Sequence, residues 1–137
     1  MRMLLLTQIK PQHIRCSMWI KLILLLFLAG CAGTPIDYKL SPEIVSQMNE
    51  VYNPLVEKGF CVSDKVYNVQ TWWLSFICPM PVCKPESIVF HTHPILTEPG
   101  ANFFDLAMFE EYNRCYGNTL FGVMYGKGRY KVYEVNN

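Results

Sequence analysis

From Ser41 onward the apolar positions change period several times, and each change marks an element. Ser41-Pro42-Glu43 sets a capping residue, a proline suited to a first turn and an acid in succession, which is a helix-start signal. Ile44, Met48, Val51 and Leu55 then recur at steps of three and four, predicting one apolar stripe, and Pro54 ends or kinks that helix. Residues 59–68 and 70–78 are enriched in Val, Tyr, Phe and Trp and predict two strands. Pro79, Pro81 and Pro85 make 79–86 a turn-rich link. Ser87 to His93 predicts a third strand, stopped by Pro94, with a loop over 95–101. Asn102 is placed to cap a second helix running to about Cys115, which Tyr116-Gly117-Asn118 stops. Residues 119–126 and 129–135 predict two more strands around a tight Gly126-Lys127-Gly128 turn. The order α-β-β-β-α-β-β, without regular βαβ alternation, predicts an α+β domain with a mixed or antiparallel sheet and two main helices.

The segment before this domain reads differently. Met18-Trp19-Ile20-Lys21 is a short positive start, Leu22 to Phe27 and Leu28 form an unbroken apolar run, and Leu28-Ala29-Gly30-Cys31 closes it with small residues. The run is about half the ~20 residues that a membrane-spanning helix needs. Its pattern predicts a secretory signal over 1–30, with Met18 an alternative start to Met1. Leu28-Ala29-Gly30-Cys31 resembles the lipobox of bacterial lipoproteins. That resemblance implies that Cys31 is lipidated and becomes the new N-terminus, with residues 31–41 as the lipidated start and a tether. An ordinary signal or a short anchor, with Cys31 unmodified, is the alternative. Three acyl chains, at about 0.8 kcal/mol per buried CH₂, amount to a permanent membrane anchor. Ala32 rather than Asp after Cys31 resembles cargo of the outer membrane in a two-membrane bacterium, so the expected location is the cell envelope.

Composition sharpens this division. Of 137 residues, 51% are hydrophobic and 17% charged, enough for one domain and no more. The formal net charge of +1 conceals a split: Arg2, Lys10, Arg15 and Lys21 give the first 30 residues +4, and the rest carries −3. A mildly acidic body argues against sequence-blind nucleic-acid binding, which needs a positive surface. Eight Phe, eight Tyr and three Trp argue against disorder.

The chemistry concentrates in Ser87-Ile88-Val89-Phe90-His91-Thr92-His93-Pro94 and Asn102-Phe103-Phe104-Asp105. On a strand His91 and His93 share a face, within reach of one ion. The 95–101 loop lets a helix carrying Asp105 fold back beside the strand end. Two imidazoles, one carboxylate and an open fourth position form the ligand set of a catalytic zinc site. A hydrogen-bonded His pair beside a capped helix is the alternative without metal.

His-x-His-Pro, about ten residues and then Ser-x-x-Asp is the signature of the JAMM (MPN+) metalloproteases. His91-Thr92-His93-Pro94 to Asn102-Phe103-Phe104-Asp105 resembles it, with Asn102 in the Ser place. Glu57-Lys58-Gly59-Phe60-Cys61-Val62 resembles the family's upstream Glu before a Gly and an apolar run. The resemblance spans about 42–135 and implies a JAMM-like zinc metallopeptidase domain over 42–137 that hydrolyses a peptide or isopeptide bond. It implies zinc on His91, His93 and Asp105, Glu57 as general base and Asn102 as oxyanion donor. Glu86 and, more distantly, Glu50 remain rival bases; Glu86 lies five residues before His91, an odd offset that puts it on the other face of a regular strand. The expected partners are a peptide or protein substrate and a membrane reached through the lipid, without nucleic acid. The other reading of the same domain is a weak or inactive JAMM-like binding module of the envelope, and a third is an envelope lipoprotein that owes nothing to zinc.

An oxidising compartment also bears on the cysteines. Cys61, Cys78, Cys83 and Cys115 allow three pairings. The short Cys78–Cys83 spacing favours a local loop, leaving Cys61 with Cys115, against four reduced thiols.

Overall fold

The computed structural model describes residues 33–71, 80–94 and 99–136. Cys31, Cys78 and the greater part of the predicted 70–78 strand lie outside the described residues. The elements run β1 (Thr34–Ile36), α1 (Pro42–Val51), β2 (Lys58–Val62), β3 (Val66–Thr71), β4 (Ile88–Thr92), α2 (Phe103–Tyr116), β5 (Leu120–Gly126) and β6 (Arg129–Glu134). The strands form one sheet in the order β1-β6-β5-β4-β2-β3. Among the described residues only the central β4–β5 pair is parallel, as its connection through α2 requires, so the sheet is mixed and the domain α+β.

Each helix covers one face. In α1, Ser41 caps the start by accepting the Ile44 N–H at 3.3 Å, and Pro42 occupies the first turn. Ile44 and Met48 turn to the sheet and pack on Phe60, Val62, Ile88, Phe90, Met124 and Val132. On the other face α2 sets Phe109 and Tyr112 against Cys61, Val89, Phe121, Val123 and Tyr133. Residues 88–92 of β4 are buried throughout because both faces are covered, which is why this strand reads as an apolar run rather than an alternation.

Three expectations need correction. The predicted strand 59–68 is two strands of a hairpin, Val62 pairing with Val66 around Ser63-Asp64-Lys65. Val on both sides hides the break, and the polar Ser-Asp-Lys step is its only mark. Leu55 is not on the α1 stripe: the helix ends at Val51, ahead of Pro54, and Leu55 is 83% exposed. Residues 34–36, expected within a tether, form an edge strand, with Thr34 opposite Glu134 and Ile36 opposite Val132.

The cysteine pairing also differs from expectation. Cys61 is bonded to Cys83, neither to Cys115 nor through a local Cys78–Cys83 loop. Spacing along the chain suggested the local loop, but folding lays the 80–87 link against β2. The Tyr112 hydroxyl holds that link too, accepting the Cys83 N–H at 2.9 Å and donating to the Pro81 carbonyl. Cys115 lies on α2, with its Sγ 3.7 Å from Glu111 Oε1.

Candidate metal centre

The site stands where β4 ends and α2 begins. Val89 belongs to the α2 side of the core and Phe90 to the α1 side, so strand alternation carries His91 and His93 to the α2 side. Three bonds fix the strand end. The His93 N–H donates to the Met124 carbonyl at 2.8 Å, the Lys58 N–H donates to Thr92 Oγ1 at 2.8 Å, and the Tyr52 hydroxyl donates to the His93 carbonyl at 3.2 Å. The His91 ring packs on Phe109 of α2, centroids 5.8 Å apart.

Asp105 comes from the first turn of α2. Asn102 caps that helix: its Oδ1 accepts the Asp105 N–H at 2.9 Å, while its own N–H donates to Asp105 Oδ2 at 2.9 Å. The same carboxylate faces both imidazoles, Oδ1 lying 3.1 Å from His91 Nε2 and Oδ2 3.1 Å from His93 Nε2. The two Nε2 atoms are 3.0 Å apart. Thus the two imidazole nitrogens and the two oxygens of one carboxylate form a compact donor cluster among three buried residues, with one ligand atom of each residue within 4.8 Å of the others.

This cluster passes a simple geometric test for an ion. Bonds of about 2.0–2.1 Å in tetrahedral array separate ligand atoms by about 3.3–3.4 Å, so the 3.0 Å between the two imidazole nitrogens needs to open by only a few tenths of an ångström, and a carboxylate oxygen stands 3.1 Å from each of them. Without an ion, two buried imidazole nitrogens at hydrogen-bonding distance must share one proton between them, and both compete for the same carboxylate. A cation meets all three lone pairs at once. The Asp105 carboxyl suits it: burial pushes its pKa up, but hydrogen bonds from His91 and His93, the charge of His91 and the Asn102 N–H together bring it well below the ordinary carboxylate range. A carboxylate kept ionised in a buried place is a ready cation ligand. His91 Nδ1 is buried with no hydrogen-bond partner among the described residues, so packing on Phe109 orients that ring.

Glu57 comes to the same place from the other side. In the β2–β4 ladder Gly59 faces His91 and Phe60 faces Phe90; continuing that register two residues brings Glu57 level with His93 and on its face. Burial raises the Glu57 pKa, His91 and His93 pull it down, and Asp105 pushes it up, so this carboxylate senses all three residues of the cluster. Glu86 is exposed in the turn before β4, at the far end of the strand from His93. Glu50 is exposed on α1, which covers the opposite face.

The structure therefore brings His91, His93, Asp105, Asn102 and Glu57 to one end of the sheet. Sequence reasoning missed Tyr52 and Phe109, which hold the two histidines. Phe109 was open to detection at four residues beyond Asp105, one helical turn along; Tyr52 gave no signal because its partner is a backbone carbonyl. The chain matches no family model, no curated protein and no solved structure.

Proposed function

We propose that this chain is a JAMM-like zinc hydrolase of the bacterial cell envelope, cutting a peptide or isopeptide bond. The observation that carries the proposal is the buried cluster in which His91 Nε2 and His93 Nε2 lie 3.0 Å apart, each 3.1 Å from its own Asp105 carboxylate oxygen, with a half-buried Glu57 carboxylate beside it. Zinc supplies such a site with the electrophilic pull that polarises a carbonyl and makes water acidic near neutral pH. His91, His93 and Asp105 would hold the ion. Glu57, its pKa raised by burial, accepts the proton of the attacking water and returns it to the departing amine. Asn102, at the helix start, offers its amide N–H₂ to the oxyanion in the place where the family has a serine.

His91→Ala and His93→Ala test the metal directly. Two remaining ligands hold zinc poorly against water, so both variants should lose most of their bound zinc by elemental analysis. Unchanged metal content in both would remove the basis of the reading. Hydrolysis of peptide and isopeptide substrates by the zinc-loaded chain tests the reaction.

One observation favours a second reading, a JAMM-like binding module that retains metal. The Asn102 Oδ1 is already committed to the helix cap, and an amide differs from a hydroxyl in reach and angle. A chain that binds zinc tightly and hydrolyses nothing would support this reading.

The proposed location rests on Leu28-Ala29-Gly30-Cys31. No helix of the described residues is long and apolar enough to cross a membrane. A lipid on Cys31 is the proposed attachment, on the strength of that four-residue motif alone. Cys31→Ser should abolish labelling by a clickable fatty acid; labelling that survives would refute it.

A further inference from the structure

The β5–β6 hairpin gathers cations in an otherwise mildly acidic body. Residues 120–133 contain Lys127, Arg129 and Lys131 and no acid. Two of the three belong to the face of the sheet that carries the histidines. Tyr130 and Val132 pack on the α1 side, so alternation turns Arg129 and Lys131 to the α2 side. Register then ties Lys131 to the candidate centre: His91 pairs with Val123, and Val123 pairs with Lys131. His91 and Lys131 thus stand in one row, two strand spacings or about 10 Å apart at Cα.

Contacts fix where the Lys131 side chain lies. Gly100 has a φ of +97°, and a β-carbon built there would stand 3.2 Å from Lys131 Cδ and 3.4 Å from its Nζ. The lysine stem therefore lies along the backbone two residues before Asn102, whose N–H holds Asp105. Tyr133 pins the same stretch, its hydroxyl accepting the Ala101 N–H at 2.8 Å. The Tyr133 ring meets Phe109, and Phe109 meets His91, with centroids 5.9 and 5.8 Å apart. Packed side chains thus run without a break from the Lys131 stem to the cluster.

Arg129 stands one row further up. Its guanidinium covers the Tyr125 ring at 5.1 Å. Tyr125 follows Met124, whose carbonyl accepts the His93 N–H, so the β4–β5 register sets it level with His93. Stacking uses the face of a guanidinium and leaves its N–H groups for an acceptor. Among the described residues neither Arg129 nor Lys131 forms an ion pair.

The site is therefore polarised. Glu57 lies on the β2 side of the histidines and the two cations on the β6 side, so an anionic group is repelled at the first and attracted at the second. A membrane is the poorer occupant: lipid recognition takes clusters of about 4–8 cations, and this hairpin has three. A carboxylate needs only one guanidinium fork or ammonium.

We infer that Lys131 and Arg129 bind a carboxylate of the peptide on which the site acts, within about three residues of the bond at about 3.3 Å per extended residue. The inference deepens the hydrolase reading and rests on it for the identity of the bond, but binding tests it separately. The probes are hexapeptides with a neutral fluorophore: Glu-Glu-Ala-Ala-Glu-Glu and Gln-Gln-Ala-Ala-Gln-Gln, both capped at each end, and the second again with a free carboxyl end. The full chain is held in non-ionic detergent and loaded with zinc.

At low ionic strength one or both carboxylate-bearing peptides should bind about tenfold tighter than the neutral one, the scale of a charge-assisted hydrogen bond. Which of them binds tells an acidic side chain from a chain end. Salt should weaken the preference. Lys131→Gln and Arg129→Gln should each erode it several-fold, Lys131→Arg should keep it and Lys131→Glu should abolish it. Both residues are exposed, so zinc content and melting temperature should stay at wild-type values. If the wild type cleaves, the loss should fall on KM more than on kcat. Equal binding of all three peptides by the wild type overturns the inference. So does a preference that survives in the Lys131→Gln, Arg129→Gln double variant. Preferential binding without cleavage leaves the inference standing and removes the hydrolase reading; cleavage without a charge preference does the reverse. If soluble dihexanoyl-phosphatidylglycerol binds through Lys131 and Arg129 while the peptides bind equally, the cations serve a lipid surface and the inference falls.

Discussion

The Phe90 ring fills the space beside Gly122 in the neighbouring strand, where a β-carbon would stand 2.2 Å from its Cε1. The ring cannot yield easily, because it is stacked on Phe60 with centroids 5.4 Å apart and meets the Tyr130 ring edge-on at 6.3 Å. Gly122 is thus what lets the strand bearing His91 and His93 lie against β5 with an aromatic residue between them.

Gly122→Ala should therefore destabilise the fold by about 1–3 kcal/mol, the range for overpacking a tight core. In a domain of this size each kcal/mol lowers the melting temperature by about 4–8 °C. Thermal unfolding followed by circular dichroism checks it. A melting temperature equal to wild type would mean that Phe90 has room to move.

Asn102 separates helix capping from chemistry. Asn102→Ala removes the acceptor for the Asp105 N–H and should cost about 1 kcal/mol. Asn102→Ser keeps a capping oxygen and should leave stability within about 0.5 kcal/mol of wild type. Zinc content should hardly change in either, since the Asn102 backbone N–H to Asp105 Oδ2 survives both. If Asn102 is an oxyanion donor, turnover should fall about 10²–10³-fold in the alanine variant and persist in the serine variant. Equal turnover in the two would confine Asn102 to its cap.

The sequence made most of this site legible because its chemistry is local. His91 and His93 share a strand face by alternation, and Asn102 and Asp105 form a capping box within one turn, so neighbours two and three residues apart carried the information. The joining of the two halves needed only the short connection to α2. What escaped depended on distant packing. Cys61 finds Cys83 because the 80–87 link crosses β2, a contact that no spacing rule reveals. Residues 34–36 become a strand because β6 offers an open edge, although Thr34-Pro35-Ile36 is too short to show a period. Leu55 fitted a helical stripe, but Pro54 outweighs periodicity by disfavouring helix at the residue before it.

The disulfide gives a further test. Mass spectrometry of a non-reduced digest should find a Cys61–Cys83 peptide, the bond joining residues 22 apart. Closing a loop of that length contributes about 3 kcal/mol in the chain-entropy account. Reduction, or Cys61→Ala with Cys83→Ala, should lower stability by that order. A digest that instead yields Cys78–Cys83 or Cys61–Cys115 would overturn the pairing.

Glu57 and Glu86 provide the test that separates base from ligand. Glu57 lies level with His93 on the face of the sheet that carries both histidines, whereas Glu86 is exposed at the opposite end of β4. Because Glu57 is not one of the three residues in the cluster, Glu57→Gln should leave zinc content near wild type. The amide keeps the size and a hydrogen bond but accepts no proton at neutral pH. A general base contributes about 10²–10⁴ in rate, or about 3–5 kcal/mol in the barrier, so turnover should fall by that factor. Glu86→Gln should change neither zinc content nor turnover. An active Glu57→Gln beside a dead, zinc-loaded Glu86→Gln would reverse the assignment and require the turn at 85–86 to reach the metal, which the β2–β4 register opposes.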